Sequence, residues 1–212
     1  EADDKLESTA DYEASLAKAL EKAPEEAARK DGNPEKAFRD AEKIIERTYS
    51  APFLAHNTME PMNFFAHVTA DKAELEGPIQ TPEYLRKSLI EVLGLPEEKI
   101  SIMMTRMGGG FGGKESQGNA LAIACAVVAT ATGKPTKMRY DRDDDFMITG
   151  KRHDFRIAYR VGFNADGVIS GVEFEQYARC GWAQDLSLPV ADRAMLHADN
   201  AYHLLHVRIE SH

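Results

Sequence analysis

The fold is decided by Ile100-Ser-Ile-Met-Met-Thr-Arg-Met107, Gly108-Gly109-Gly110-Phe111-Gly112-Gly113-Lys114-Glu115, and Ala120-Leu-Ala-Ile-Ala-Cys-Ala-Val-Val-Ala-Thr-Ala131. The first stretch reads as a strand. The last reads as a helix within about 117–132, apolar nearly all round and therefore buried. Between them, five glycines in the six positions 108–113 make a backbone free to take positive φ and to approach a ligand closely. A glycine-rich turn from strand to helix presents backbone N–H groups to an anion or oxo group. Phe111, an aromatic inside the glycines, argues against a plain flexible linker. Lys114 and Glu115 are expected at the mouth of the site.

Outward from the loop, the chain alternates helical and extended patterns. Upstream, Lys43–Phe53, Met62–Thr69 and Ala73–Ile79 are expected strands, with Pro52 and Pro61 at edges or bends. Thr81 is placed as an N-cap and Pro82 at the first helical position. Leu85, Leu89, Val92 and Leu93 then share one face of a helix that Gly94 ends. A short helix over Glu35–Ala41 starts after Pro34. Downstream, Lys137–Tyr140 is extended and the acidic run Asp141–Asp145 is read as a solvated turn rather than a metal site. Strict alternation of Phe155, Ile157, Tyr159, Val161 and Phe163, the turn Asn164-Ala-Asp-Gly167 and the strand Val168–Tyr177 predict a long β-hairpin. Asp185–His197 is expected as loop and short helix, and Val207–His212 as a strand. The fold class is α+β, a mixed α/β arrangement with helices packed on twisted sheets. Expected segments are a solvated helical or linker stretch at 1–40, an αβ segment carrying the glycine loop at 41–135, and a hairpin-containing continuation at 136–212. Leu16, Ala17 and Leu20 mark one short helix face in the first of these.

Composition narrows the function. A hydrophobic content of 43% suits a packed globular chain, and a net charge of −9 argues against nucleic acid and anionic membranes as partners. No run of about 18 apolar residues suggests a membrane-spanning helix. Cys125 and Cys180 are both read as small buried hydrophobes, which fits a cytoplasmic setting. The seven histidines are scattered; only His203 and His206 are close, and no acidic ligand accompanies them at zinc-site spacing. Glu60, between Met59 and Pro61, is read as structural, with a pocket-lining role as the alternative.

Gly108-x-Gly110-x-x-Gly113 also fits a dinucleotide fingerprint, but the candidate ribose acid Asp141 lies 28 residues past Gly113 (141 − 113). The usual interval is about 20. A dinucleotide-binding domain and a non-catalytic scaffold that keeps the loop but holds no cofactor both stay open on pattern.

The loop Gly108–Glu115 resembles that of the molybdenum-binding subunit of the xanthine dehydrogenase and aldehyde oxidase family. Gln80, 35 residues before Glu115 (115 − 80), matches that family's spacing between a cofactor-contacting glutamine and the loop glutamate. Met138–Asp145, Ile148–His153, Gln184–Ser187 and Asp192–His197 are similar to xanthine dehydrogenase proper. Asp31–Lys36, Ala51–Asn63 and Gly77–Pro82 resemble the isoquinoline 1-oxidoreductase branch, so the chain mixes two branches and the change falls at the loop.

The resemblance implies that the backbone around Gly110, Phe111 and Gly112, with the Gln80 side chain, binds a molybdenum–molybdopterin cofactor. The metal is held through the pterin, so no side chain here need be a ligand. Glu115 is implied as the substrate-positioning residue. The implied reaction inserts a water-derived oxygen into an N-heterocycle, xanthine-like or hypoxanthine-like, or an aldehyde. Iron–sulfur clusters and FAD on other domains or subunits are the implied electron acceptors. The family's general-base glutamate and its purine-orienting arginine loop find no match, so a fragment of the molybdopterin-binding domain, inactive alone, is expected.

Overall fold

The computed structural model describes residues 11, 14, 18, 29–181 and 183–212. The expected helix face at Leu16, Ala17 and Leu20 lies outside these. The chain divides into two units. One is continuous, Leu54–Arg152; the other joins the flanking segments, up to Phe53 and from His153 onward. These divisions differ from the expected boundaries at 40/41 and 135/136. The reason is strand pairing: the extended segment before residue 54 finds its partner after residue 153.

The continuous unit holds a four-stranded sheet. Its strands are β3 (Asn63–Val68), β4 (Ala73–Gly77), β5 (Ile100–Met104) and β6 (Thr136–Arg139), in the order β5-β4-β3-β6. β4 and β5 are parallel, and β3 is antiparallel to both β4 and β6. Period-two burial makes the sheet one-sided. Phe64, Ala66 and Val68 are buried while Phe65 is exposed.

Two helices cover the buried face, α2 (Pro82–Leu93) and α3 (Asn119–Thr132). Leu85 and Leu89 of α2, and Leu121, Cys125 and Ala129 of α3, join Phe64, Leu75 and Ile79 in one core. The expected all-round burial of α3 does not hold: Val127 and Val128 are 44% and 42% exposed. The helix is apolar on every side, but the sheet covers only one.

Three other expectations are corrected in this unit. Strand β5 stops at Met104, three residues before Met107. Thr81 occupies the N-cap position without capping; its hydroxyl donates instead to the Glu115 carbonyl at 2.5 Å. The acidic run is not a turn. Asp141 caps a helix, α4 (Arg142–Ile148), by accepting from the Asp144 N–H at 2.8 Å. The carboxylates of Asp143, Asp144 and Asp145 lie in its first turn, where the helix dipole favours negative charge.

The second unit holds a five-stranded sheet in the order β1-β9-β8-β7-β2. Its strands are β1 (Arg29–Asp31), β2 (Lys43–Ala51), β7 (Phe155–Phe163), β8 (Ile169–Ala178) and β9 (Val207–Ser211). β7 and β8 form the predicted hairpin, and β9 lies parallel to β8. The short β1, absent from the sequence reading, pairs antiparallel with β9. Helices α1 (Pro34–Arg39) and α5 (Ser187–Leu196) pack on this sheet. Cys180 is exposed, against expectation, because it lies two residues past the end of β8. His206 accepts from the Asn33 N–H at 3.0 Å, a structural use of that ring.

Candidate functional site

The glycine loop leaves β5 and returns to α3 within the continuous unit. It forms a tight turn rather than regular structure. The Gly113 N–H closes a turn onto the Gly110 carbonyl at 2.8 Å. Gly109 and Gly112 have φ of +97° and +85°, and Phe111, a residue with a Cβ, has φ of +54°. A phenylalanine held in the left-handed region and 76% exposed stores backbone strain, which concentrates at functional sites.

Gln80 and the loop meet. The Gln80 N–H donates to the Lys114 carbonyl at 2.8 Å, and the Gln80 Oε1 accepts from the Lys114 N–H at 3.1 Å. The approach is tight: a Cβ on Gly110 would lie 2.8 Å from that Oε1. Gly112 differs, since a Cβ there would meet only the Glu115 Oε1, at 3.8 Å. Its constraint is the backbone angle, and the space beside it is open toward Glu115. Gln80, Gly110, Phe111, Gly112 and Glu115 are thus five predicted residues in one place.

Lys114 is a correction. It is completely buried, not at the mouth. Its Nζ lies 3.0 Å from the Glu60 Oε2, which also accepts from the Gly108 N–H at 2.8 Å. Burial opposes ionisation of Glu60, but the Gly108 N–H, Lys114 and Asn63 outweigh it and hold its carboxyl below the usual range. With Lys114 committed to Glu60, the Glu115 carboxylate has no ion-pair partner among the described residues.

Several contributors were not found from sequence. Arg142 of α4 donates to the carbonyls of Thr58 and Met59 at 2.6 and 3.1 Å. Asp145, buried, accepts from the Met62 N–H at 3.3 Å. Together they fix the segment 58–62 that carries Glu60. The acidic run was therefore a brace, and its only sequence signal was an arginine within a capped helix. His56 packs where a Cβ of Gly113 would stand, 2.6 Å from its Cγ. Burial lowers the His56 pKa, and the nearby Lys151 adds to that; Asp145 and Glu115 act in the opposite sense.

The arrangement suits a cofactor with a polar, electron-rich edge. The N–H groups of Phe111 and Gly112 have no backbone acceptor among the described residues. Gly110, the residue before them, lies against the Gln80 side chain, and Gly112 opens toward Glu115. No described group of His, Cys, Asp and Glu is placed to hold a metal ion directly. The dinucleotide reading loses its fold: the strand after the loop helix, β6, joins the sheet antiparallel to β3 and away from β5. Among the described residues no helix is long and apolar enough to cross a membrane.

Comparison with known proteins agrees with this geometry. Over 180 residues the chain is 38% identical to xanthine dehydrogenase of Drosophila subobscura, covering 84% of this chain and 13% of that protein. It is 36% identical over 182 residues to xanthine dehydrogenase/oxidase of Gallus gallus, covering 85% and 13%. The chain thus spans about an eighth of the length of the relatives it matches. Among solved structures, the aldehyde oxidoreductase of Desulfovibrio gigas aligns with a TM-score of 0.73 at 22% identity, over 85% of this chain and 20% of that one. Quinoline 2-oxidoreductase of Pseudomonas putida 86 aligns with a TM-score of 0.72 at 19% identity, over 87% and 24%. A family model, the molybdopterin cofactor-binding domain, matches residues 19–212. The chain belongs to the family of molybdopterin cofactor-binding domains.

Proposed function

We propose that residues 54–152 form the cofactor-facing part of a molybdenum hydroxylase of the xanthine dehydrogenase type. The observation that carries this is the convergence of Gln80, Gly110, Phe111 and Gly112 around unspent backbone N–H groups. The cofactor, when bound, supplies the two-electron chemistry that oxidises an N-heterocycle or an aldehyde. This chain's residues supply binding and orientation. Phe111 and Gly112 present N–H donors held in place by the loop, and the Gln80 side chain, whose Oε1 accepts from the Lys114 N–H, lies against Gly110. Glu115, without a cationic partner, is available to a substrate hydrogen-bond donor. Iron–sulfur and flavin domains or subunits would accept the electrons, in a cytoplasmic enzyme. Alone, the chain is expected to hold no stoichiometric molybdenum, since it spans only about an eighth of the length of the relatives it matches. Elemental analysis finding about one molybdenum per chain would contradict that.

Glu115 provides the test. In a subunit-length protein with this sequence, Glu115→Ala should lower kcat/KM for purine-like heterocycles by about 10²–10³. The loss for a simple aldehyde should be far smaller, since an aldehyde offers no distal ring N–H. Equal losses for both substrates at matched molybdenum content would assign Glu115 to loop packing and remove the substrate role.

A further inference from the structure

We infer that Glu60 is a positioning residue that clasps the glycine loop at both ends through a single carboxylate oxygen. Resting on the cofactor reading above, this gives the loop its fixed shape before any cofactor arrives. The loop begins at Gly108 and its turn ends at Lys114. Glu60 Oε2 accepts from the Gly108 N–H at 2.8 Å and from the Lys114 Nζ at 3.0 Å. The backbone repeats the first contact, with the Glu60 N–H donating to the Gly108 carbonyl at 3.1 Å. The other oxygen, Oε1, accepts from the Asn63 Nδ2 at 3.1 Å. The Thr58 hydroxyl donates to the Glu60 carbonyl at 2.7 Å.

A fully buried ammonium is tolerated only beside an opposite charge, because burial strips its hydration. Lys114 therefore cannot leave Glu60 without large cost. Gly108 in turn lies close against Glu60: a Cβ on Gly108 would sit 2.6 Å from the Glu60 Cβ. The two loop ends are thereby held while residues 109–112, with the strained Phe111 among them, span the gap. The pair is internally neutral, so it fixes geometry without adding net charge to the loop.

Amide hydrogen exchange on the full 212-residue chain tests this, without any cofactor. Glu60→Ala should accelerate exchange at the hydrogen-bonded amides of Gly108, Gly113 and Lys114 by roughly tenfold or more, with Phe64 and Leu121 amides unchanged. Glu60→Gln keeps an acceptor for Gly108 but strands the lysine charge. It should leave the Gly108 amide protected while loosening Gly113 and Lys114. Adding Lys114→Met to Glu60→Gln should restore much of the lost protection at Gly113 and at residue 114, because no unpaired charge remains. Wild-type exchange at Gly108 in Glu60→Ala, or equal acceleration at Phe64 and Leu121, would overturn the clasp. A subunit-length Gly112→Val protein that kept its molybdopterin would overturn the cofactor reading alone and leave the exchange result standing.

Discussion

The two units of this chain use the same kinds of element to different ends. In residues 54–152 two helices close one face of the sheet, and Phe64, Ala66, Ala73, Ile79, Leu85, Leu89, Ala122 and Cys125 are all fully buried. In the flanking unit, most of β2 and β7 stays exposed or half-exposed, and buried apolar residues gather around β9, β8 and α1. Its strands are joined by backbone ladders and by ring contacts such as Tyr49 of β2 stacked on Tyr159 of β7 at 5.6 Å. The lesson is that the precise part of the molecule, the strained loop, hangs from the part with a finished core. A loop that stores strain needs surroundings that cannot yield.

The largest expected effect tests that contrast directly. Phe64→Ala removes a fully buried ring from the continuous unit and should cost about 3–5 kcal/mol. Tyr159→Ala, in the half-exposed hairpin, should cost only about 1 kcal/mol, on the scale of one cross-strand pair. Urea titration of each variant measures both; similar losses would erase the distinction between the units. Next in size, Gly112→Val should abolish molybdopterin loading in a subunit-length protein. It puts a β-branched residue at φ +85°, costing about 1–2 kcal/mol of strain by the usual left-handed penalty. Metal analysis reads the outcome, and retention of full molybdenum content would separate the loop from the cofactor.

A smaller effect should appear with pH. The folded His56 pKa is depressed, so the unfolded chain binds more protons just below the ordinary histidine value. Stability of residues 54–152 should therefore fall as pH drops through about 6.5, and His56→Gln should remove that step. Glu60, also depressed, contributes stability that is present above the ordinary carboxylate range and lost below it, near pH 4 and under (roughly, from the model-peptide value). Thermal melts from pH 8 to pH 3 (roughly the span of both groups) would show two separate steps. Absence of the first in wild type would free His56 of any role.

The smallest effect concerns the cysteines. Cys125 is buried between the carbonyls of Phe64 and Thr136, and burial raises its pKa. Cys180 is exposed. A thiol reagent should label Cys180 in the native protein and Cys125 only when residues 54–152 open. Cys180→Ser should change stability by less than about 0.5 kcal/mol. Fast native labelling of Cys125 would mean the unit opens readily.

Much of this was legible from residues. The Phe155–Phe163 alternation predicted β7, and Pro82 with Gly94 bracketed α2 correctly. The loop and its partner Gln80 were found from spacing and resemblance. Other features were hidden for identifiable reasons. Val127 and Val128 are apolar on a helix whose outer side no described element covers, so composition overstated their burial. Lys114 follows two glycines and looks like a surface lysine; its burial depends on Glu60, 54 residues away (114 − 60). Pairing across that distance leaves no periodic trace. Thr81 has the right residue type and place for a cap, yet its hydroxyl serves the loop. Sequence fixes which groups are available more readily than which partner each one takes.

The position of β9 bears on the order of assembly during synthesis. It lies inside its sheet, between β1 and β8, although its residues come after every other strand. β1 and β2 emerge first and must wait, one for residues 207–211 and the other for residues 155–163. Residues 54–152 have all their partners once Arg152 has left the ribosome. The unit with the loop is therefore finished while its flanks are still unpaired strands, and a pause in translation after residue 152 would favour it. Elongation, in this chain, delivers the fold that carries the glycine loop before the sheet that encloses its two ends in sequence.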